Sequence, residues 1–94
     1  MIEDRVEKIR ARLSAAFQAV EPIEIVDDSH LHAGHPGARD GRGHFRVRVV
    51  SAVFDGMKTL ERHRKVYEAV GTLMQTDIHA LNIEALTPKE ASQP

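Results

Sequence analysis

Residues 45–86 hold the pattern that most narrows what this chain can become. Phe45, Val47 and Val49 alternate with His44, Arg46 and Arg48, the two-residue period of a strand with one face buried and a basic face outside. At the far end, Leu81, Ile83 and Ala85 share one face of a stretch running from Ile78 to Leu86, and Asn82 and Glu84 share the other. Between them, Leu60, His63, Val66, Tyr67, Val70, Leu73 and Met74 recur at helical spacing. A strand, a helix and a strand in that order predict a parallel pair joined by a right-handed crossover.

The flanking segments complete the order. Ile2, Val6, Ile9, Leu13, Ala16, Phe17 and Val20 form an apolar stripe, with Glu3 and Asp4 in the first turn, where acids complement the helix dipole. Pro22 blocks continuation, so a first helix is expected over 1–20. Ile23 to Val26 reads as a short strand closed by Asp27 and Asp28. The chain after Val49 is apolar and then turns at Asp55-Gly56, and Thr59 is the expected N-cap of the central helix. Gly71 in that helix costs about 1 kcal/mol against Ala and reads as a place for close packing. Tyr67 is expected in the core and His63 as a structural histidine near the apolar stripe. Thr87-Pro88-Lys89-Glu90 has the form of a capping box with Pro at the first helical position, so a short C-terminal helix and tail are expected over 88–94. The sum is one domain over 1–94 of class α+β, ordered α-β-β-α-β-α. It should carry a three-stranded mixed sheet, its first two strands antiparallel, with helices on one face.

The stretch from Asp28 to His44, DSHLHAGHPGARDGRGH, fits neither period. It holds four of the six histidines, four glycines and a proline, and it reads as a loop over 29–43. A loop of that length in so small a domain is commonly functional or disordered. His30 and His32 point the same way in an extended chain, and Gly34 lets the backbone bend at His35. Histidine binds zinc, copper, nickel and iron alike, so the spacing marks a candidate metal site without choosing the metal. His44, on the sheet's outer side, stays open as a ligand, a residue behind a ligand, or neither. His79 has the parity of the apolar face but sits at its strand's start.

Other chemistry is excluded or weak. The chain has no cysteine, so it has no thiol nucleophile and no sulfur of its own for an iron–sulfur or Cys-type zinc site. Ser29 and Ser51 lack a nucleophile-elbow context. Asp27 and Asp28 are adjacent, so in a strand they point to opposite faces, which suits a carboxylate dyad poorly. Gly34, Gly37, Gly41 and Gly43 match no phosphate-loop fingerprint. No apolar run approaches the length of a membrane span, and MIEDRVEKIRARL is charged from its third residue, unlike a secretory signal. A cytoplasmic, non-enzymatic protein without a small-molecule substrate is the expectation. The net charge of −1 conceals a basic segment, with 8 Lys and Arg against 3 Asp and Glu over 39–65. Lys58, Arg62, Arg64 and Lys65 are its candidate contacts to a phosphate backbone. The turn Gly56-Met57-Lys58-Thr59 lacks the second glycine of a GXXG loop.

Taken together, DSHLHAGH, GHFRVRVVSAVFDG, RHRKVYEAVGTLM and IHALNIEALTPKE resemble BolA-like proteins from about Val6 to Glu90. The resemblance implies a class II KH-like fold and a non-enzymatic partner of monothiol, CGFS-type glutaredoxins. The heterodimer shares a [2Fe-2S] cluster with bound glutathione and acts in cluster trafficking or iron homeostasis. It also implies a second reading, a DNA-binding transcriptional regulator linked to cell shape and stress response. On the family's pattern, His79 matches the C-terminal histidine ligand. The second ligand is a loop histidine, as in the His-ligand subgroup. Counting from Asp28-Ser29 points to His32, and counting back from His44 points nearer His35.

Overall fold

The structure is a computed structural model that describes residues 4–29 and 42–93. Helix α1 spans Arg5–Phe17. Asp4 begins it, its carboxylate accepting from the Val6 and Glu7 amides as an N-cap should. Ile9, Leu13 and Phe17 face the core. The helix stops at Phe17, short of the expected Val20, because Gln18 turns left-handed at φ 48°. The turn carries Val20 out of the stripe to 55% exposure and lets its amide donate to the Val50 carbonyl.

Strand β1 is Glu24–Asp27, and strand β2 is Gly43–Val50. They pair antiparallel with Ile25 opposite Val47. Ile23 lies before the ladder rather than in it, yet it is fully buried. A 3-10 turn at Ala52–Phe54 follows, capped by the Ser51 hydroxyl, which also donates to the Phe17 carbonyl at 2.7 Å. The turn buries Phe54 against Phe17, their ring centroids 4.9 Å apart.

Helix α2 runs Thr59–Val70. Lys58, not Thr59, is its N-cap, and no side chain caps it. The buried face runs through Val66 and Val70. Leu60 and Tyr67 lie to one side of that face and are 63% and 42% exposed, against the expectation that they pack inward. Gly71 ends the helix at φ +52°, a conformation only glycine adopts cheaply. A separate short helix α3, Leu73–Thr76, follows. The expected single helix through Met74 is therefore two, and Gly71 serves the backbone bend.

Strand β3, Ile78–Leu86, pairs parallel with β2, and helix α4 is Pro88–Ala91. The sheet order is β1-β2-β3. Phe45, Val47 and Val49 register with Leu81, Ile83 and Ala85, and all six are buried beneath the helices. Each such large apolar side chain contributes about 1.5–3 kcal/mol. The opposite face presents Val26, Arg46, Asn82 and Glu84 to solvent. At Thr87 the capping box is complete, with Thr87 Oγ1 accepting from the Glu90 amide and Glu90 Oε1 from the Thr87 amide. Among the described residues, no helix is long and apolar enough to cross a membrane.

Candidate metal-ligating site

The start of β3 is where the sheet departs from regular register. Gly43 pairs with Ile78, but the next residue, His44, pairs with Ala80. His79 is the extra residue of a β-bulge, a device that re-aims side chains. Ile78 and Leu81 can then both face the core although they are three positions apart. The parity that sequence alternation gives His79 does not survive the bulge. Its ring instead lies beside that of His44, with centroids 5.2 Å apart and planes at 48°.

Several elements converge on this pair. The Asp28 amide donates to the His44 carbonyl at 2.8 Å, and the His44 amide donates to Ser29 Oγ at 3.1 Å. The Gly43 amide donates to the Asp77 carbonyl at 2.9 Å. A Cβ on Gly43 would stand 2.5 Å from Ser29 Oγ and 2.8 Å from the Phe45 ring, so only glycine fits this approach. Arg42 Nη1 donates to the Met74 carbonyl at 2.8 Å, and Arg42 Nη2 lies 3.4 Å from His79 Nδ1.

Asp77, two residues before His79, is buried. Its carboxylate accepts from Thr76 Oγ1 at 2.6 Å, Lys8 Nζ at 3.2 Å and Arg5 Nε at 3.3 Å. The Thr76 hydroxyl and then the Lys8 ammonium hold its pKa below the usual carboxylate range against the opposing effect of burial. This network ties α1 to the root of β3.

Of the residues singled out in the sequence, His44 and His79 are brought together. His30, His32 and His35 lie outside the described residues. Among the described residues no group of three or more His, Asp or Glu side chains is placed to hold a metal ion. Two imidazoles are what this part of the chain offers a metal among the described residues, and any thiolate must come from another molecule. Arg42 and Asp77 were not legible as part of the site. Arg42 read only as one charge of the basic segment, and its contacts cross 32 and 37 residues.

The basic group divides. Lys58, Arg64 and Lys65 are exposed. Arg62 does not belong with them, since its side chain is only 13% exposed. It donates to the carbonyls of Met57 at 2.9 Å and Ala85 at 3.0 Å, and to Glu90 at 2.7 Å. A guanidinium engaged by two backbone carbonyls and a carboxylate is a strut between α2, β3 and α4 rather than a free surface cation.

A small α+β domain with a mixed three-stranded sheet and a histidine pair at the root of its β1–β2 loop is the class that these observations define. The family model for BolA-like proteins matches residues 13–90, and the chain belongs to that family. It is 40% identical over 95 residues to the chloroplastic protein BOLA1 of Arabidopsis thaliana, covering 96% of this chain and 58% of that protein. It is 39% identical over 90 residues to the DNA-binding transcriptional regulator BolA of Escherichia coli (strain K12), covering 96% of this chain and 79% of that one. The solved BolA domain of SufE1 from Arabidopsis thaliana superposes with a TM-score of 0.80 at 36% identity, covering 96% of this chain and 99% of that domain. The chain spans 24% of the length of SufE-like protein 1 of the same plant.

Proposed function

We propose that this chain is a non-enzymatic partner of a monothiol, CGFS-type glutaredoxin and shares a [2Fe-2S] cluster with it in cluster trafficking or iron homeostasis. His79 and one loop histidine, His32 or His35, are the chain's ligands in this reading. The observation that carries it is the bulge at the start of β3, which turns His79 out of the core and sets it beside His44 at the foot of the histidine-rich loop. The donor set fits half of a cluster site. Imidazoles are available, cysteine is absent, and the thiolates would come from the glutaredoxin and its glutathione. Mixed imidazole and thiolate ligation gives such a cluster a higher potential than four thiolates do. The chain's own residues orient the site: Asp77 anchors the strand that bears His79, and Ser29 and Gly43 close the base of the loop. A cytoplasmic setting is part of the proposal.

Mixing the apo chain with a cluster-loaded monothiol glutaredoxin under anaerobic conditions tests it. The visible spectrum should change as imidazole replaces another ligand, and His79→Ala should abolish the change. A change that persists in His79→Ala overturns the assignment.

A second reading draws on the Escherichia coli relative, which is described as a DNA-binding transcriptional regulator, and on the exposed Lys58, Arg64 and Lys65. Binding of this kind weakens steeply with salt. Filter binding to duplex DNA across a salt series decides it, and no affinity at low salt removes it.

A further inference from the structure

A guanidinium stays protonated in proteins and can only donate hydrogen bonds. Arg42 Nη2 lies 3.4 Å from His79 Nδ1. In this contact the ring nitrogen is therefore the acceptor, the role Nδ1 has in the tautomer whose N–H is at Nε2. The guanidinium is also tethered at its other nitrogen, where Nη1 donates to the Met74 carbonyl at the α3 end. Among the described residues its planar fork therefore joins a backbone acceptor to the candidate ligand.

A neutral imidazole has one nitrogen lone pair, and Arg42 engages it. Metal can reach His79 by two routes. At Nδ1 it must displace the guanidinium, while the proton stays on Nε2. At Nε2 it needs that proton to move to Nδ1, where the new N–H would face an Arg42 N–H, donor against donor. Neither route gains or loses a proton overall, and both break the Arg42–His79 contact.

We infer that Arg42 is a positioning residue that guards His79: it holds the imidazole in one orientation and tautomer in the apo chain and must let go before His79 ligates a metal. This rests on the reading of His79 as a ligand.

The test uses the full apo chain and Zn²⁺ alone as the probe, followed by titration calorimetry. Side-chain ¹⁵N spectra report the His79 tautomer, and circular dichroism confirms folding. Wild type should show an unprotonated Nδ1 on His79. Arg42→Ala should bind Zn²⁺ about tenfold more tightly, the equivalent of one charge-assisted hydrogen bond no longer opposing ligation. Arg42→Gln, whose amide can either donate or accept, should do likewise and stands in if the alanine variant fails to fold. The gain should vanish in a His79→Ala background. Unchanged or weaker affinity in the Arg42 variants, with wild-type binding still dependent on His79, overturns the guard and leaves the ligand reading intact. Wild-type binding indifferent to His79→Ala overturns both. No Zn²⁺ uptake by wild type or variants overturns the guard, and the glutaredoxin mixing experiment then decides the ligand reading separately.

Discussion

The imidazoles of His44 and His79 stand 5.2 Å apart because β3 spends one residue more than β2 at their common start. Without that residue His79 would follow the alternation of Leu81 and Ile83 into the core. The bulge is braced from the β2 side by Gly43, whose amide bonds to the Asp77 carbonyl.

Gly43→Ala should therefore destabilise the fold. The added methyl would meet Ser29 Oγ at 2.5 Å and the Phe45 ring at 2.8 Å. Ser29 can rotate only by giving up its bond to the His44 amide, and Phe45 is buried on every side. Overpacking of this kind costs about 1–3 kcal/mol. Urea unfolding of the variant should show a lowered midpoint. A midpoint equal to wild type would mean that the loop base yields freely.

Asp77→Asn tests the tie between α1 and β3. The Asp77 carboxyl titrates below its ordinary 3.8, chiefly through the Thr76 hydroxyl and Lys8. A depressed carboxylate stabilises the fold above the unfolded-state pKa, and the contribution is lost as pH falls through the folded one. The asparagine variant should be the less stable at neutral pH, with the difference closing as pH drops below 3.8. Denaturant titrations at a series of pH values check this, and a gap that does not change with pH contradicts it.

Glu90→Gln should alter acid tolerance in the same direction through a different contact. The Arg62 guanidinium, and after it the Thr87 amide, lower the Glu90 pKa from 4.5 to about 2. Its stabilisation is complete above pH 4.5 and disappears as pH approaches 2. Thermal midpoints of wild type should exceed those of the variant at neutral pH and converge with them across that window. Equal midpoints at every pH would show that the pair adds nothing.

Arg62 and its neighbours should separate in function. Arg62→Ala should lower the thermal midpoint, because it removes the guanidinium that donates to the Met57 and Ala85 carbonyls and to the Glu90 carboxylate. Arg64→Ala and Lys65→Ala should stay within about 0.5 kcal/mol of wild type. If the chain binds duplex DNA, each of those two substitutions should reduce the salt slope by about 1. A stable Arg62→Ala protein, or an unstable Arg64→Ala one, would contradict the role of Arg62 as a strut.

Most of the architecture was legible because it rests on local periods. The alternation in 45–49 and 81–85 and the box at Thr87 each act within a few residues. The errors have a common origin. Leu60, Val66, Tyr67 and Val70 read as one helical stripe, but the face that α2 buries is chosen by the sheet and α1, and they select its Val66 and Val70 edge. Val20 belonged to the first stripe by count, and the left-handed Gln18 removed it.

The site divides along the same line. An α+β fold with a strand–helix–strand crossover is written in the residues themselves. The sequence also established that imidazole and not thiolate is what the chain can offer a metal, since composition and short-range periodicity are properties of the chain alone. Tertiary structure alone decided that His79 leaves the core and meets His44, that Arg42 engages its Nδ1, and that Arg62 is an internal strut. Each depends on a register shift or a contact between residues more than 20 positions apart. No local pattern encodes such a pairing, because its geometry exists only once the strands have docked.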